Sequence, residues 1–502
     1  MQKRVMWRIV IASPLCVVGV VLLALLYPLP AQATNHAIVP TCTNNGDGTS
    51  YGCAATSGGA GAFKAIPTGS SLVCGDIYYL TDYASYPEYT FSKSGCTGST
   101  PVTFRKAQAW DYGGMSGFNV ATMGSAQAVF PWTGGVIFEI KDGYLTMDGN
   151  SNEGAGTIGC GGVSGTTASN QTAPPPNPLQ CGIKIDNSTC TTGATDGCAG
   201  GLGFIDGGGS YIVWKSVEWE GSDNNPNEPY GWRENASGST NNQVTHSYLH
   251  ALGTTCWTVT GAWNSGSFDH NYIWGTNDSS VNHGECLQGT GSDTGMNIFD
   301  NVFRDTITNG DLVFVDPVAG THSDYNIYNN VVWCSSSSGC RHNDGFVACI
   351  NSSQTCTNFF IYNNTIINCS TACGLNSTNA GSYTWENNIY YNSSVSWTTH
   401  GSSFTEDYNS FLNSGNPGSG AHDVHNTSSP VPFGNWNSGA GTLTGPATLA
   451  SDNANWNNRL SLGAPFDTDA AGNAFTDDRG AYQSAGGTAG PAAPTNLTAT
   501  PH

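Results

Sequence analysis

The segment Ile298-Phe299-Asp300-Asn301-Val302-Phe303 combines apolar and aromatic residues with a polar pair at its centre. Related segments with Asn at the fourth position occur at 268–273, 327–332, 361–366 and 385–390. Their ladder asparagines, from Asn271 to Asn388, are separated by 30, 29, 34 and 24 residues. A period in this range indicates stacked supersecondary units. Short strands with turn residues, rather than helical periodicity, favour a β-solenoid.

Weaker copies at 213–219 and 244–249 extend the repeat over at least residues 210–412. Two cysteine pairs support stacking in register, because each cysteine stands 15 residues before a ladder asparagine: Cys256, Cys286, Cys349 and Cys373. Neighbouring strands lie about 4.8 Å apart, and a disulfide accepts Cα separations of roughly 4.4–6.8 Å. The spacing predicts the disulfides Cys256–Cys286 and Cys349–Cys373.

Four further segments carry a family resemblance. Residues 75–80, 89–105 and 143–149 resemble the opening coils of pectate-lyase-like proteins, chondroitinase-B-like ones in particular, and 477–482 resembles the terminal strand of many such domains. The resemblance implies an all-β fold, a right-handed parallel β-helix stapled by disulfides, over residues 65–484. The Lys and Arg motif pair of chondroitinase-B-like lyases is missing from the sequence, so their catalytic residues are not carried over.

The flanking regions have other compositions. Basic residues, an apolar stretch and Ala31-Gln32-Ala33 predict a signal peptide over residues 1–33, with a retained membrane anchor as the alternative. Residues 34–64 are expected to cap the solenoid, and the Gly-rich, Cys-containing residues 150–210 to form a stapled insertion. Residues 485–502 look like a linker followed by the truncated start of a fibronectin type III-like module.

Composition restricts the location and the partners. Seventeen cysteines include Cys16 in the predicted signal, and the remaining sixteen suit an oxidising, extracellular compartment. Removal of three basic signal residues changes the formal charge from −21 to −24. Nucleic acid is excluded as a partner because it requires basic patches, and no stable membrane insertion is expected after signal removal. A polysaccharide, preferably neutral, and a monomeric state are predicted.

Polar residues that enter the predicted sheet on successive coils are candidate catalytic groups: Arg233, His283, Glu285, Asp311, His342 and Asp344. His283 and Glu285 are assigned to the turn before a strand whose first buried residue is Leu287. Carboxylates on successive coils lie roughly 5–10 Å apart, which matches the acid–base spacing of glycosidases. Glu285 is then the general acid, and Asp311 or Asp344 activates water or attacks the sugar.

Three alternatives stay open for this cluster. A lyase would use Arg233, His283 or His342 to remove a proton or neutralise a uronate. Carboxylates and amides at these positions suit Ca²⁺, so a calcium cofactor is possible. The same residues also suit turn capping without chemistry.

Substrate-binding candidates beside the cluster are Trp232, Trp257, Glu234 and Gln288. Indole rings stack on sugar faces, although either Trp equally suits the core. The ladder asparagines are expected to satisfy backbone groups inside the fold rather than to bind sugar. The sequence therefore predicts an extracellular protein that cleaves a polysaccharide as hydrolase or lyase, with a non-catalytic adhesive or glycan-binding β-helix as the alternative.

Overall fold

A computed structural model describes most of the chain from residue 33 to residue 482. The described residues are 33–150, 158–160, 181–189, 203–205, 209–221, 231–234, 238–252, 255–259, 263–275, 286–289, 291–304, 313–315, 320–334, 346–350, 353–370, 373–378, 381–399, 403–415, 418, 420–434, 436–437, 442–443, 449, 459–475 and 478–482. The chain divides into two units after Thr34, and the described elements belong to the unit that begins at Asn35.

Three long sheets of parallel strands contain nearly all of the described strands. Sheet I comprises Asn35–Ile38, Ile77–Leu80, Val102–Lys106, Leu145–Asp148, Ile212–Lys215, Gln243–Thr245, Ser267–Asp269, Asn297–Phe299, Thr321–Tyr328, Thr355–Tyr362, Gly381–Glu386 and Ser403–Asp407. Sheet II comprises Ala128–Pro131, Ile183–Asp186, Val217–Glu220, Tyr248–His250, Tyr272–Trp274, Val302–Arg304, Val331–Trp333, Thr365–Ile367, Ile389–Tyr391, Ser410–Leu412 and Val424–Asn426. Sheet III comprises Tyr89–Phe91, Phe138–Ile140, Gly203–Ile205, Trp232–Glu234, Trp257–Val259, Leu287–Gly289, Val313–Val315, Val347–Cys349, Leu375–Ser377 and Trp397–Thr399.

The remaining elements are short. Strands Ser239–Thr240 and Trp263–Asn264 pair in parallel, and Trp436–Asn437 pairs antiparallel with Thr442–Leu443. A helical turn lies at Val120–Met123 and a 3-10 turn at Gly69–Ser71. The described residues include no helix with the length and hydropathy needed to cross a bilayer.

From Val102–Lys106 to Trp397–Thr399, each coil visits sheets I, II and III in turn and adds one strand to each sheet. This is the predicted right-handed parallel β-helix. The segment 150–210 supplies Ile183–Asp186 to sheet II and Gly203–Ile205 to sheet III. It therefore contributes strands to the solenoid rather than lying wholly outside it. It also contains a disulfide, Cys160–Cys181, as expected of a stapled segment.

From Ile212–Lys215 onward, the corner between sheets I and II is short and repeats the same structure on coil after coil. One residue takes a left-handed conformation, such as Asp300 at φ 54° or Asn329 at φ 55°. The ladder asparagine follows it, fully buried. The Asn330 side chain donates to Ile298 O at 2.8 Å, and its Oδ1 accepts from the Asn301 backbone N at 3.1 Å. The asparagines thus satisfy backbone groups of neighbouring coils, as predicted.

A C-terminal segment, residues 459–482, packs across this corner and the outer face of sheet II. Asn329, Asn363 and Asn387 donate side-chain hydrogen bonds to its backbone carbonyls at 2.8–3.1 Å. Its Ala481 and Tyr482 belong to the apolar cluster on that face. Residues 477–482 were expected to resemble a terminal strand, but the described residues 478–482 form no strand. The buried Arg479 instead donates to Asn409 O at 2.7 Å.

Six disulfides lie within the described residues. They are Cys42–Cys53, Cys74–Cys96, Cys160–Cys181, Cys256–Cys286, Cys349–Cys356 and Cys369–Cys373. The Cys256–Cys286 prediction is confirmed, with a Cα–Cα distance of 4.6 Å. The Cys349–Cys373 prediction is wrong, because the sheet register places Cys349 opposite Ser377.

Candidate functional site

Five predicted catalytic residues lie outside the described residues: His283, Glu285, Asp311, His342 and Asp344. Each precedes a described strand of sheet III in the sequence. Leu287 begins its strand and is buried as expected, but Cys286 before it is buried as well, so Leu287 is not the first buried residue. The turn assigned to His283 and Glu285 lies outside the described residues. These five residues remain candidates, and the described residues that follow them in the sequence are strands of sheet III.

Arg233, Thr258 and Gln288 form a polar row on that outer face. They occupy the central positions of three consecutive strands and stand in direct register, Arg233 opposite Thr258 and Thr258 opposite Gln288. Thr258 donates its hydroxyl to Gln288 Oε1 at 3.2 Å. Arg233 and Gln288 are half-buried, whereas Thr258 is almost fully buried. The row offers a cation, a hydroxyl and an amide, which are groups that hydrogen-bond to sugar hydroxyls or carboxylates.

Trp232 and Trp257 are not on this face, so their predicted sugar-stacking role is wrong. Side chains alternate between the two faces of a strand, and both indoles point into the solenoid with 1% exposure. Their ring centroids are 6.2 Å apart, and Trp232 also packs edge-on against Trp214 at 4.7 Å. Both residues are core.

Glu234 is likewise inside the solenoid and cannot bind substrate as predicted. It is fully buried, and its Oε1 accepts hydrogen bonds from Asn242 Nδ2 at 3.0 Å and from Trp257 Nε1 at 3.2 Å. Burial removes water from the carboxylate and raises the pKa of Glu234 to about 8, although these hydrogen bonds oppose the shift. Glu234 is therefore a neutral, structural acid at pH 7.

Two clusters elsewhere combine histidine with carboxylates, and sequence reasoning missed both. His246, Asp269 and His270 meet at the corner between sheets I and II, and Glu218, Glu220 and His250 meet on the outer face of sheet II. In each cluster the potential ligand atoms lie within 4.8 Å of one another. A usable signal existed for the first cluster, because His270 directly precedes Asn271 in the repeat and His246 occupies the same slot one coil earlier.

Asp300 continues the first cluster onto the next coil. Its Oδ2 lies 3.4 Å from His270 Nε2. Burial raises the pKa of Asp300 to about 7, while the neighbouring His270 opposes the shift. Burial also lowers the pKa of His246 to about 3, and the charge of His270 acts in the same direction.

No protein-family model matches the chain, and no curated protein sequence matches it. Similar solved structures include the pectate lyase Pel9A, with 13% identity and a TM-score of 0.44 over 90% of this chain and 97% of that chain. XylC in complex with xylose has 9% identity and a TM-score of 0.37, covering 89% and 98% of the two chains. A GH136 lacto-N-biosidase from Eubacterium ramulus has 10% identity and a TM-score of 0.34, covering 78% and 67%. These likenesses concern the fold.

Proposed function

We propose that the protein is secreted and cleaves a polysaccharide on the outer face of sheet III. The observation that carries this proposal is the in-register polar row Arg233–Thr258–Gln288, in which Arg233 and Gln288 are half-buried. Its strands include one that the candidate acid Glu285 precedes in the sequence. A row that repeats from coil to coil suits an extended, repeating ligand better than a compact one. Six disulfides among the described residues support an oxidising location.

Roles within the site follow from the chemistry of each group. Glu285 protonates the leaving glycosidic oxygen, and Asp311 or Asp344 activates water or attacks the sugar. Arg233 binds the polymer through its planar guanidinium, which donates several hydrogen bonds in a fixed geometry. Gln288 holds a sugar hydroxyl, and Thr258, which donates to Gln288 Oε1, orients its amide. His283 and His342 orient the acids or, in a lyase, abstract a proton.

Incubation with a panel of neutral and acidic glycans tests the function. New reducing ends without ultraviolet-absorbing products identify a hydrolase, and unsaturated products identify a lyase. Binding to a glycan without cleavage would contradict the enzymatic proposal and favour the adhesive alternative. Neither cleavage nor binding across the panel would contradict both.

The Glu285→Gln variant tests the acid. Because an amide cannot donate the proton, turnover should fall at least about a hundredfold. The matched control is Glu386→Gln, since Glu386 lies on the outer face of sheet I and its replacement should leave turnover unchanged. A folded and fully active Glu285→Gln protein would eliminate this assignment.

A further inference from the structure

The corner between sheets I and II carries two histidines on adjacent coils. His246 and His270 occupy the left-handed position of the corner, at φ 50° and 52°. Their imidazole rings stack in parallel, with centroids 4.6 Å apart and an interplanar angle of 6°. Later coils place Asn329, Asn363 and Asn387 at this position. The paired rings are therefore a local departure from the repeat.

Asp269 lies against both histidines and is held by three other side chains. Its Oδ1 accepts from Thr245 Oγ1 at 2.5 Å and lies 3.0 Å from His270 Nδ1. Its Oδ2 accepts from Gln243 Nε2 and Ser267 Oγ, each at 2.9 Å. Hydrogen bonds of this kind fix the orientation of a ligating carboxylate in metalloproteins.

We propose that His246, Asp269 and His270 bind a divalent transition metal ion of the Zn²⁺ type. Two imidazoles and one carboxylate form a borderline ligand set, which suits zinc and its neighbours better than Ca²⁺ or Mg²⁺, whose ligands are oxygens. A nitrogen of each ring and an oxygen of Asp269 already lie within 4.8 Å of one another. Three protein ligands leave a fourth position for water or another donor.

Asp300 completes the arrangement outside the three ligands. When His270 ligates through Nδ1, which faces Asp269, its proton resides on Nε2, 3.4 Å from Asp300 Oδ2. A carboxylate behind a ligating histidine fixes the tautomer and raises the basicity of the ring. Lys215 lies close enough to oppose positive charge on His246. The carboxylates Asp269 and Asp300 offset the positive charge of Lys215.

The second cluster, Glu218, Glu220 and His250, differs from the first because a lysine already forms ion pairs with its carboxylates. Lys184 forms ion pairs with Glu220, with Asp186 at 3.5 Å and with Glu218 at 4.0 Å. His250 Nε2 contacts Glu218 Oε1 at 3.0 Å. An ammonium group thus stands where a metal ion would stand. We expect no metal binding at this cluster.

Metal binding should also move the stacked rings. Bonds of about 2.1 Å place two ligands of a tetrahedral ion about 3.4 Å apart. Parallel rings 4.6 Å apart direct their lone pairs side by side, so they must tilt toward each other to share one ion. Zinc should therefore shift the imidazole resonances of His246 and His270 together in an NMR titration.

The test uses the full-length, disulfide-bonded secreted protein, equilibrium dialysis against ZnCl₂ and metal analysis. The variants His246→Asn and His270→Asn should each lose one zinc equivalent per chain, and they should fold because Asn occupies the same slot on later coils. The matched control His250→Asn should retain it. Zinc at a hundredfold above its Kd should raise the Tm by about 3 °C in the wild type and in the control only.

Three results would overturn the site. They are no bound zinc in the wild type, undiminished zinc in the His246→Asn/His270→Asn double variant, or the same loss in His250→Asn. Selective uptake of Ca²⁺ at this corner would overturn the ligand assignment. Because the corner carries no residue of the proposed sugar site, loss of zinc with unchanged glycan cleavage separates the two proposals.

Discussion

The two ends of each strand in sheet I are built on different plans. At the end that leads into sheet II, a left-handed residue and a buried asparagine recur, as at Asn330 and Asn364. At the end that follows sheet III, the stabilising contacts differ from coil to coil. One coil buries Glu234, another pairs His322 with Asp293 at 3.1 Å, and the next uses the disulfide Cys349–Cys356.

The contrast shows how register and variety coexist in one solenoid. The corner between sheets I and II, the regular corner, keeps neighbouring coils in register, because each asparagine bonds to the coil before it and the coil after it. The corner between sheets III and I, the irregular corner, differs in its side chains from coil to coil, so it can accept unusual side chains. Connection length varies more between sheets II and III. A substitution at the irregular corner should act locally and through its particular chemistry, whereas one at the regular corner should affect neighbouring coils.

The largest expected effect comes from pH acting on Glu234. Its pKa is about 8 in the folded protein and near 4.5 when exposed. Below pH 4.5 the acid is protonated in both states. Between pH 4.5 and 8 the unfolded chain ionises while the folded protein keeps its proton, so stability falls as pH rises. The loss is on the order of 5 kcal/mol, at about 1.4 kcal/mol per pKa unit.

Glu234→Gln should remove this dependence, because the amide keeps the hydrogen-bond acceptor without the charge. Denaturant unfolding at pH 5 and pH 8 measures the effect, with Glu88→Gln as the control, because Glu88 is only half-buried in the loop before the strand Tyr89–Phe91. Equal pH slopes in wild type and Glu234→Gln would contradict the buried neutral acid.

The next effect concerns disulfides of different span. Cys256–Cys286 links residues 30 apart, and Cys369–Cys373 links residues 4 apart. Chain entropy predicts that removing the first pair costs about 3.5 kcal/mol and removing the second about 2 kcal/mol. Double Cys→Ala variants of each pair, compared by denaturant unfolding, provide the measurement. A larger loss from the short loop would indicate that local packing, not loop closure, sets the order.

The smallest expected difference is in the free energy of unfolding between variants of two neighbouring residues on the regular corner, Asn330 and Asn329. Asn330→Ala should cost about 3 kcal/mol, because it leaves Asn301 N and Ile298 O of the preceding coil without their partner and removes the bond to Asn364 Oδ1 on the next coil. Asn329→Ala should cost about 2 kcal/mol, since it loses one bond to Thr468 O and places alanine at φ 55°. Hydrogen exchange should show loosening on both adjacent coils for Asn330→Ala only. Purely local exchange would argue against transmission through the ladder.

The same contrast explains what the sequence could predict. Asn301 and its equivalents were recognisable because their corner has a constant form. Cys256 and Cys286 paired as predicted because both stand one residue before a sheet III strand at equal distance from the ladder. Counting failed for Cys349 and Cys373 because Val347 precedes Asn364 by 17 residues, whereas Leu375 precedes Asn388 by 13.

Trp257 shows a different limit. It stands 14 residues before Asn271, as Leu287 stands before Asn301, so the reasoning that buried Leu287 would also have buried Trp257. Only its aromatic chemistry suggested sugar stacking, and that chemistry suits core and surface alike. Arg233 and Gln288 were recognisable as polar side chains between inward-facing neighbours. The catalytic roles of Glu285 and its partners stay predictions.

Residues 459–482 change how the solenoid can come apart. Stacked repeats contact only their neighbours, so such proteins can peel from an end one repeat at a time. Here a single segment bonds to Asn329, Asn363, Asn387 and Asn409 on successive coils. Under mechanical load those coils should yield together as one unit rather than in a series of small steps.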